Sequence, residues 1–322
     1  MKANIFIPIS RSSEGLVRCL ESLSKQTDRR FSVIAVSLTA DETLKTLLKK
    51  YIKDYLFLVQ PQPGLLHAAN LALTHAKDDI FIRIDDDIVA DKDWLKAIFT
   101  SFDDPYTGGV TGPTIIKQEL RERRDLFAYL DGFSTSSNPV KRFISFVYTQ
   151  IIYEGLMKEV SLFTRSGAFT LGSNFEESVK QITNTKPVDN LEACNFSVRR
   201  SLLEQFDGFD PMFSKGLSEY HEADIACKIT KAGYKNMFNP KVKVRHNVEK
   251  STNVRGDSYH RIQNFIIFYR RHLAKPDLGS RVYFLTNVLL QNCYYVVLFL
   301  RTGKWDLLGA IPGSIVGLFR PL

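Results

Sequence analysis

Three consecutive carboxylates, Asp85-Asp86-Asp87, stand directly after the apolar run Phe81-Ile82-Arg83-Ile84. Their mutual repulsion is unfavourable without a cation. A divalent metal shared with phosphate oxygens relieves it, and carboxylate oxygens suit Mg or Mn. Alone, the run fits equally well a solvated acidic turn or the cap of a helix predicted over Asp91 to Phe99. A second acidic element, Tyr220-His221-Glu222-Ala223-Asp224-Ile225, places two acids in the first turn of a helix predicted from His221 to Ala232 and ended by Gly233. Complementing the helix dipole, with Asp224 paired to Lys228 at i+4, is their bland role. His246, closing the run Val242 to Arg245, is by itself an ordinary strand-end histidine or a metal ligand.

The elements that must position these groups are legible as alternating periods. Apolar runs at Asn4 to Ile9, Phe31 to Val36, Tyr55 to Val59 and Asp79 to Ile84 alternate with amphipathic stretches at Glu14 to Ser24, Glu42 to Tyr51 and Leu65 to His75. This β-α-β-α order predicts an open parallel sheet. Ligands of such sheets bind beyond the carboxyl ends of the strands. Those ends are Pro8 to Arg11, Ser37 to Thr39 and the aspartates. A further strand is predicted over Val110 to Ile116, after which residues 117–188 lose regular patterning. Strands then return at Ala193 to Val198, Asn236 to Phe238 and Val242 to His246, with a short helix over Ser201 to Gln205.

With 322 residues, 44% hydrophobic and 24% charged, the chain can bury a full core. Four scattered cysteines, without C-x-x-C spacing, argue against a zinc cluster or a disulfide framework and for a reducing, cytoplasmic compartment. The first apolar stretch is too short for a signal-peptide core. A net charge of +8 and a pI near 9.2 favour an anionic partner. Basic residues cluster only at Arg121, Arg123 and Arg124 and at Arg270 and Arg271, without a nucleic-acid-binding motif, so no nucleic-acid partner is expected. Val282 to Leu300 is uncharged between Arg281 and Arg301, roughly 28 Å of helix at about 1.5 Å per residue. Thr286, Asn287, Gln291 and Asn292 in its middle oppose spanning. With Trp305 to Phe319 it reads as helices lying on the cytoplasmic leaflet, or packed on the soluble part or in a homodimer.

Several segments occur in an order that resembles the inverting family 2 of glycosyltransferases with the GT-A fold, over roughly residues 4 to 250. They are Ile5-Phe6-Ile7-Pro8, Cys19 to Thr27, Gly64 to Asn70, the aspartates with Asp93-Trp94-Leu95, Ala193 to Arg200, Gly208-Phe209-Asp210, and Glu222 to Ile225. Tyr259 to Asn264 and Arg270 to His272 are similar to bacterial, rhamnosyltransferase-like members that build cell-surface glycans. The resemblance implies an α/β, Rossmann-like GT-A fold: a mostly parallel central sheet flanked by helices, with a C-terminal helical, membrane-associating tail. Residues 1–250 would form the transferase domain (1–116 the nucleotide-sugar half, 117–188 variable, 189–250 the acceptor and base half), and 251–322 a helical extension.

By the same resemblance, the aspartates are the DXD element. Asp85 would contact the nucleotide ribose and the metal, Asp87 would ligate the metal with His246, and Asp86 would bind nucleotide or stabilise the loop. Pro8, Ser10, Ser37 and Asn70 would complete the site for a nucleotide-diphosphate sugar. Glu222 would be the general base, with Asp224 as its alternative. Arg261 and Arg270 would lie near a lipid-linked diphosphate acceptor or the membrane surface, their bland role being a basic solvated helix face. Two departures, Ser37 where the family carries an acid and Ala69 where it often carries arginine, leave the nucleotide base open. They also motivate a second reading, a non-catalytic membrane-associated scaffold. A nucleotidyltransferase or a dinucleotide dehydrogenase would need a Gly-rich loop after the first strand, where this chain has Pro8 to Gly15.

Overall fold

Strands and helices alternate where the apolar period switches between 2 and 3.6. In the computed structural model, which describes residues 1–116, 130, 132–247, 257–275 and 277–321, the first half reads β1 (Ala3–Ile9), β2 (Phe31–Ser37), β3 (Tyr55–Val59) and β4 (Ile80–Ile84), with helices Glu14–Ser24, Glu42–Tyr51 and Leu65–His75 between them. Ser13 and Asp41 start the first two helices by accepting hydrogen bonds from the amides of Leu16 and Thr43. Next come β5 (Ile88–Ala90), helix Trp94–Ser101, β6 (Thr107–Thr111), β7 (Thr114–Ile116), β8 (Val160–Phe163), β9 (Phe169–Leu171), β10 (Lys186–Val188), β11 (Asn195–Arg199), helix His221–Lys231, β12 (Lys235–Phe238) and β13 (Val244–His246).

Eight strands form one sheet in the order β10-β12-β6-β11-β4-β1-β2-β3, and β5, β13 and β7 form a second. The large sheet is parallel through β4-β1-β2-β3 and between β6 and β12, while β11 runs antiparallel between β4 and β6. It is therefore mixed but mostly parallel, flanked by helices. Its core is built from Ile5, Ile7, Val33, Ile80, Ile82, Leu16, Leu20, Trp94 and their neighbours, all buried.

The run Val110 to Ile116 is not one strand. Gly112 and Pro113 divide it into β6 and β7, which belong to different sheets. Pro113 has no N–H for a ladder, and a Cβ at Gly112 would fall 2.2 Å from the Val242 carbonyl oxygen, so the backbones meet closely there. Trp305 to Phe319 likewise divides, into a 3-10 turn Trp305–Gly309 and a helix Ala310–Phe319 with Pro312 in its first turn, where an amide is not needed.

The chain forms two compact units, one of Met1–Ile116, Ser173–Ser214 and His221–Val248, the other of Lys117–Gly172, Lys215–Tyr220 and Glu249–Leu322. The second unit groups the segment after β7 with the tail. Its core joins Ile262, Phe265, Ile266 and Tyr269 to Phe284, Val288 and Tyr295 of the long helix Leu278–Thr302. Arg121, Arg123 and Arg124 lie outside the described residues. Arg270 donates to the carbonyls of Gly317 and Arg320 at the end of helix Ala310–Phe319, complementing that helix terminus. Arg261 lies 3.6 Å from Glu219.

Candidate active site

The aspartates leave β4 at the carboxyl edge of the sheet, and neighbouring strands deliver the remaining groups by register. β1 and β2 end together, Ile9 opposite Ser37, which puts Ser10 at this edge. β11 pairs Asn195 with Ile84, so Cys194 emerges beside Asp85. β13 pairs His246 with Ile88 of β5, and the Asn247 amide donates to the Asp87 carbonyl at 3.1 Å, which sets the imidazole over the aspartate turn. Gly15, near the start of the first helix, allows the close approach of Asp87: a Cβ there would sit 3.1 Å from Asp87 Cβ.

His246 Nε2 is 3.0 Å from Asp87 Oδ1 and 3.9 Å from Asp85 Oδ2. Its other nitrogen, Nδ1, is 3.5 Å from Cys194 Sγ. Asp85 Oδ1 is held at 2.6 Å by Arg83 Nη2, a guanidinium only 5% exposed whose Nε and Nη1 take no hydrogen-bond partner among the described residues. Asp87 Oδ1 is buried and, among the described residues, makes no hydrogen bond of good geometry, only the ion-pair contact. A buried carboxylate oxygen in that state, next to a second carboxylate and an imidazole, is a donor set that could hold a hard divalent cation.

The electrostatics separate the three acids. Burial, then the charges of Asp87 and Asp85, push Asp86 up to about 6, against a hydrogen bond from the Ser10 amide. Burial also acts to raise Asp87, but the close contact and charge of His246 outweigh it and hold that carboxyl below its usual range. Burial disfavours the imidazolium of His246, yet Cys194, Asp87 and Asp85 together raise it well above its ordinary value. Burial raises the Cys194 thiol.

A stability consequence follows for Asp86. Its native value lies above its ordinary one, so its charge costs stability above pH ~6, and the cost disappears as pH falls toward 4. Asp86→Asn is expected to stabilise the metal-free protein by about 2 kcal/mol at pH 7.5 and by almost nothing at pH 4. Urea denaturation in the presence of chelator measures this.

Glu222 and Asp224 stand in the first turn of helix His221–Lys231. The His221 ring packs 6.3 Å from Phe196, the β11 residue opposite Arg83 of β4, and 5.9 Å from Phe209, which brings the start of this helix to the same carboxyl edge. Glu222 Oε2 is 3.0 Å from His221 Nδ1, and its side chain keeps 11% exposure. Asp224 is fully buried, with Oδ2 2.7 Å from Lys228 Nζ, the i+4 pairing that its spacing suggests.

The other candidates divide. Ser10 joins the cluster through its amide. Pro8 lies within β1 opposite Val36. The Ser37 hydroxyl is buried and accepts from the Thr39 amide in its own loop at 3.3 Å. Asn70 uses both ends of its amide on the backbone of Phe209, Nδ2 donating at 2.9 Å and Oδ1 accepting at 2.8 Å. It thereby ties the helix Leu65–His75 to the turn at Gly208, whose φ of +77° and crowding against Asn70 both require glycine.

Three contributors were not singled out by sequence: Arg83, Cys194 and His221. Arg83 carried a signal, a charge inside an otherwise apolar strand. Cys194 and His221 carried none, because their roles depend on which strands become neighbours.

The family model for glycosyl transferase family 2 matches residues 4–169, just over half of the chain. The chain belongs to glycosyl transferase family 2. Its sheet is of the GT-A kind. An uncharacterized glycosyltransferase of Bacillus subtilis (strain 168), YfnE, is 32% identical over 97 residues, covering 29% of this chain and 25% of that protein. The match thus spans about a quarter of that relative's length. Among solved structures, the mannosyltransferase PcManGT of Pyrobaculum calidifontis, in complex with GDP-Man and Mn2+, aligns with a TM-score of 0.56 at 15% identity, covering 100% of this chain and 88% of its own. S. aureus TarS 1-349 aligns with a TM-score of 0.54 at 15% identity, covering 99% and 81%. At such identities the likeness is one of fold.

Proposed function

We propose that this family member transfers a sugar, with inversion, from a nucleoside-diphosphate donor to a glycan acceptor, lipid-linked, at the cytoplasmic face of a membrane in cell-surface glycan synthesis. The observation that carries the proposal is the convergence of Asp85 and Asp87, in the turn after β4, with His246 of β13 onto one point at the carboxyl edge of the sheet. Asp87 and His246 would hold Mg or Mn, which when bound supplies positive charge opposite the diphosphate leaving group. Mn2+ in the PcManGT complex supports that choice. Asp85, braced by Arg83, is placed to accept from a ribose hydroxyl, and Asp86 stays bonded to the Ser10 amide. Glu222, oriented by His221, takes the proton of the acceptor hydroxyl as its oxygen attacks the anomeric carbon.

The membrane part of the proposal rests on the long helix. Val282, Leu285, Leu289, Cys293, Val297 and Leu300 form one exposed stripe at helical spacing. The central amides that oppose lipid contact are turned inward: Asn287 donates to the Ser166 carbonyl, Gln291 to Asn287, and Asn292 to Val288 and Ser314. This is the one helix among the described residues long and apolar enough to cross a membrane, by length and composition alone. A surface-lying helix accounts for the one-sided stripe.

Two experiments test the proposal. Purified protein with Mn2+ or Mg2+ and a panel of nucleotide sugars, using membrane lipid extract as acceptor, should release nucleoside diphosphate and form a product of inverted anomeric configuration by NMR. Absence of both donor binding and turnover across the panel defeats it. The wild-type protein should float with anionic vesicles, and the Leu285→Glu/Leu289→Glu variant should not. Unchanged flotation of that variant removes the membrane assignment.

A further inference from the structure

Cys194 is the feature the transferase reading leaves unused. Its thiol, 8% exposed, an oxygen of Asp85 and a ring nitrogen of His246 all lie within 4.8 Å of one another. The Sγ to Nδ1 distance of 3.5 Å matches the separation of a thiolate and an imidazole bound to one tetrahedral zinc, given bonds of about 2.3 and 2.0–2.1 Å. We propose that Cys194, His246 Nδ1 and Asp85 form a thiolate, imidazole and carboxylate site for a thiophilic divalent cation, zinc, distinct in its ligands from the hard-cation set of Asp87 and His246 Nε2.

The imidazole is the hinge of the argument. When Nδ1 binds the metal, Nε2 keeps its proton, and that nitrogen already faces Asp87 Oδ1 at 3.0 Å. A metal-bound histidine backed by a carboxylate on its second nitrogen is the usual arrangement that fixes tautomer and ring orientation. The opposite tautomer turns the Nε2 lone pair toward Asp87 for a hard cation. One histidine thus serves two sets, and only one at a time, so zinc competes with Mn2+ or Mg2+. Thiolate ligation is what separates the two, because sulfur selects zinc over the oxygen-seeking ions. On binding, the Cys194 S–H bond and the Nδ1–H bond of the His246 imidazolium are replaced by bonds to the metal, and both protons pass to solvent.

Cobalt reads the site without donor, acceptor or Mn2+, so its outcome is independent of the transferase assignment. Adding Co2+ to the metal-free, full-length protein should produce a near-ultraviolet sulfur-to-cobalt charge-transfer band that equimolar Zn2+ abolishes and millimolar Mg2+ does not. The band should vanish in Cys194→Ser and in His246→Asn and persist in Cys293→Ser, which alters an exposed thiol. Zn2+ affinity should fall at least about tenfold in Cys194→Ser, with circular dichroism verifying its fold. A wild-type protein without the band, or a band unchanged in folded Cys194→Ser, overturns the proposal.

Discussion

Glu222→Gln is expected to lower kcat by about 10^3-fold with little change in donor affinity or thermal stability. The substitution keeps shape and the contact to His221 but removes the carboxylate proposed to accept the proton. Glu222 is buried at the helix start with its side chain 11% exposed and sits 3.0 Å from His221, which would hold the carboxylate in the proposed role. Asp224 provides the contrast. It is fully buried and its charge is matched by Lys228, so Asp224→Asn should act on stability, costing about 3 kcal/mol by leaving the ammonium without its partner. Steady-state kinetics and thermal melts on both variants separate the roles. If Asp224→Asn lost turnover while keeping its melting temperature, and Glu222→Gln kept its turnover, the base would have to be reassigned.

Asp87→Asn is expected to lower kcat/KM by about 10^3-fold, about 4 kcal/mol, through loss of the cation that its carboxylate would hold with His246 in the proposed reading. Calorimetric titration with Mn2+ should show the affinity falling in parallel. The native shifts add a pH signature. Because His246 is held protonated well above its ordinary value, a metal taking Nε2 must displace a proton, and affinity should rise about tenfold per pH unit over that range. The stability signs follow from the same pair. Asp87, held low, stabilises the native state above the ordinary carboxylate range, and this is lost as pH falls through its depressed value. His246, held high, stabilises below its ordinary value, and this is lost as pH rises through its native one. At neutral pH both contribute, so Asp87→Asn destabilises the metal-free protein where Asp86→Asn stabilises it. Equal signs for the two substitutions would contradict the charge arrangement.

Much of the first half was legible because its elements are local. The helices Glu14–Ser24, Glu42–Tyr51 and Leu65–His75 and the strand Tyr55–Val59 have the bounds their periods and turn residues suggest. The divided strand at Gly112-Pro113 was not legible, since an apolar run that passes from one sheet to another keeps one continuous pattern. Asn70 shows a different limit. Its position in the motif-bearing segment was readable, whereas the double hydrogen bond to Phe209, 139 residues away, was not.

By itself the sequence determined the alternating α/β order, the acidic turn at the end of a buried strand, two acids at a helix start and the membership these imply together. Each depends on neighbours within a few residues, where side-chain period and capping act. Only the tertiary structure decided which acids differ in charge state and what touches His246. Those follow from the antiparallel insertion of β11 beside β4 and the pairing of β13 with β5, which bring Cys194 and His246 to Asp85 and Asp87 across more than a hundred residues of chain. Coulomb forces and desolvation depend on distance in space and burial, and strand register sets both.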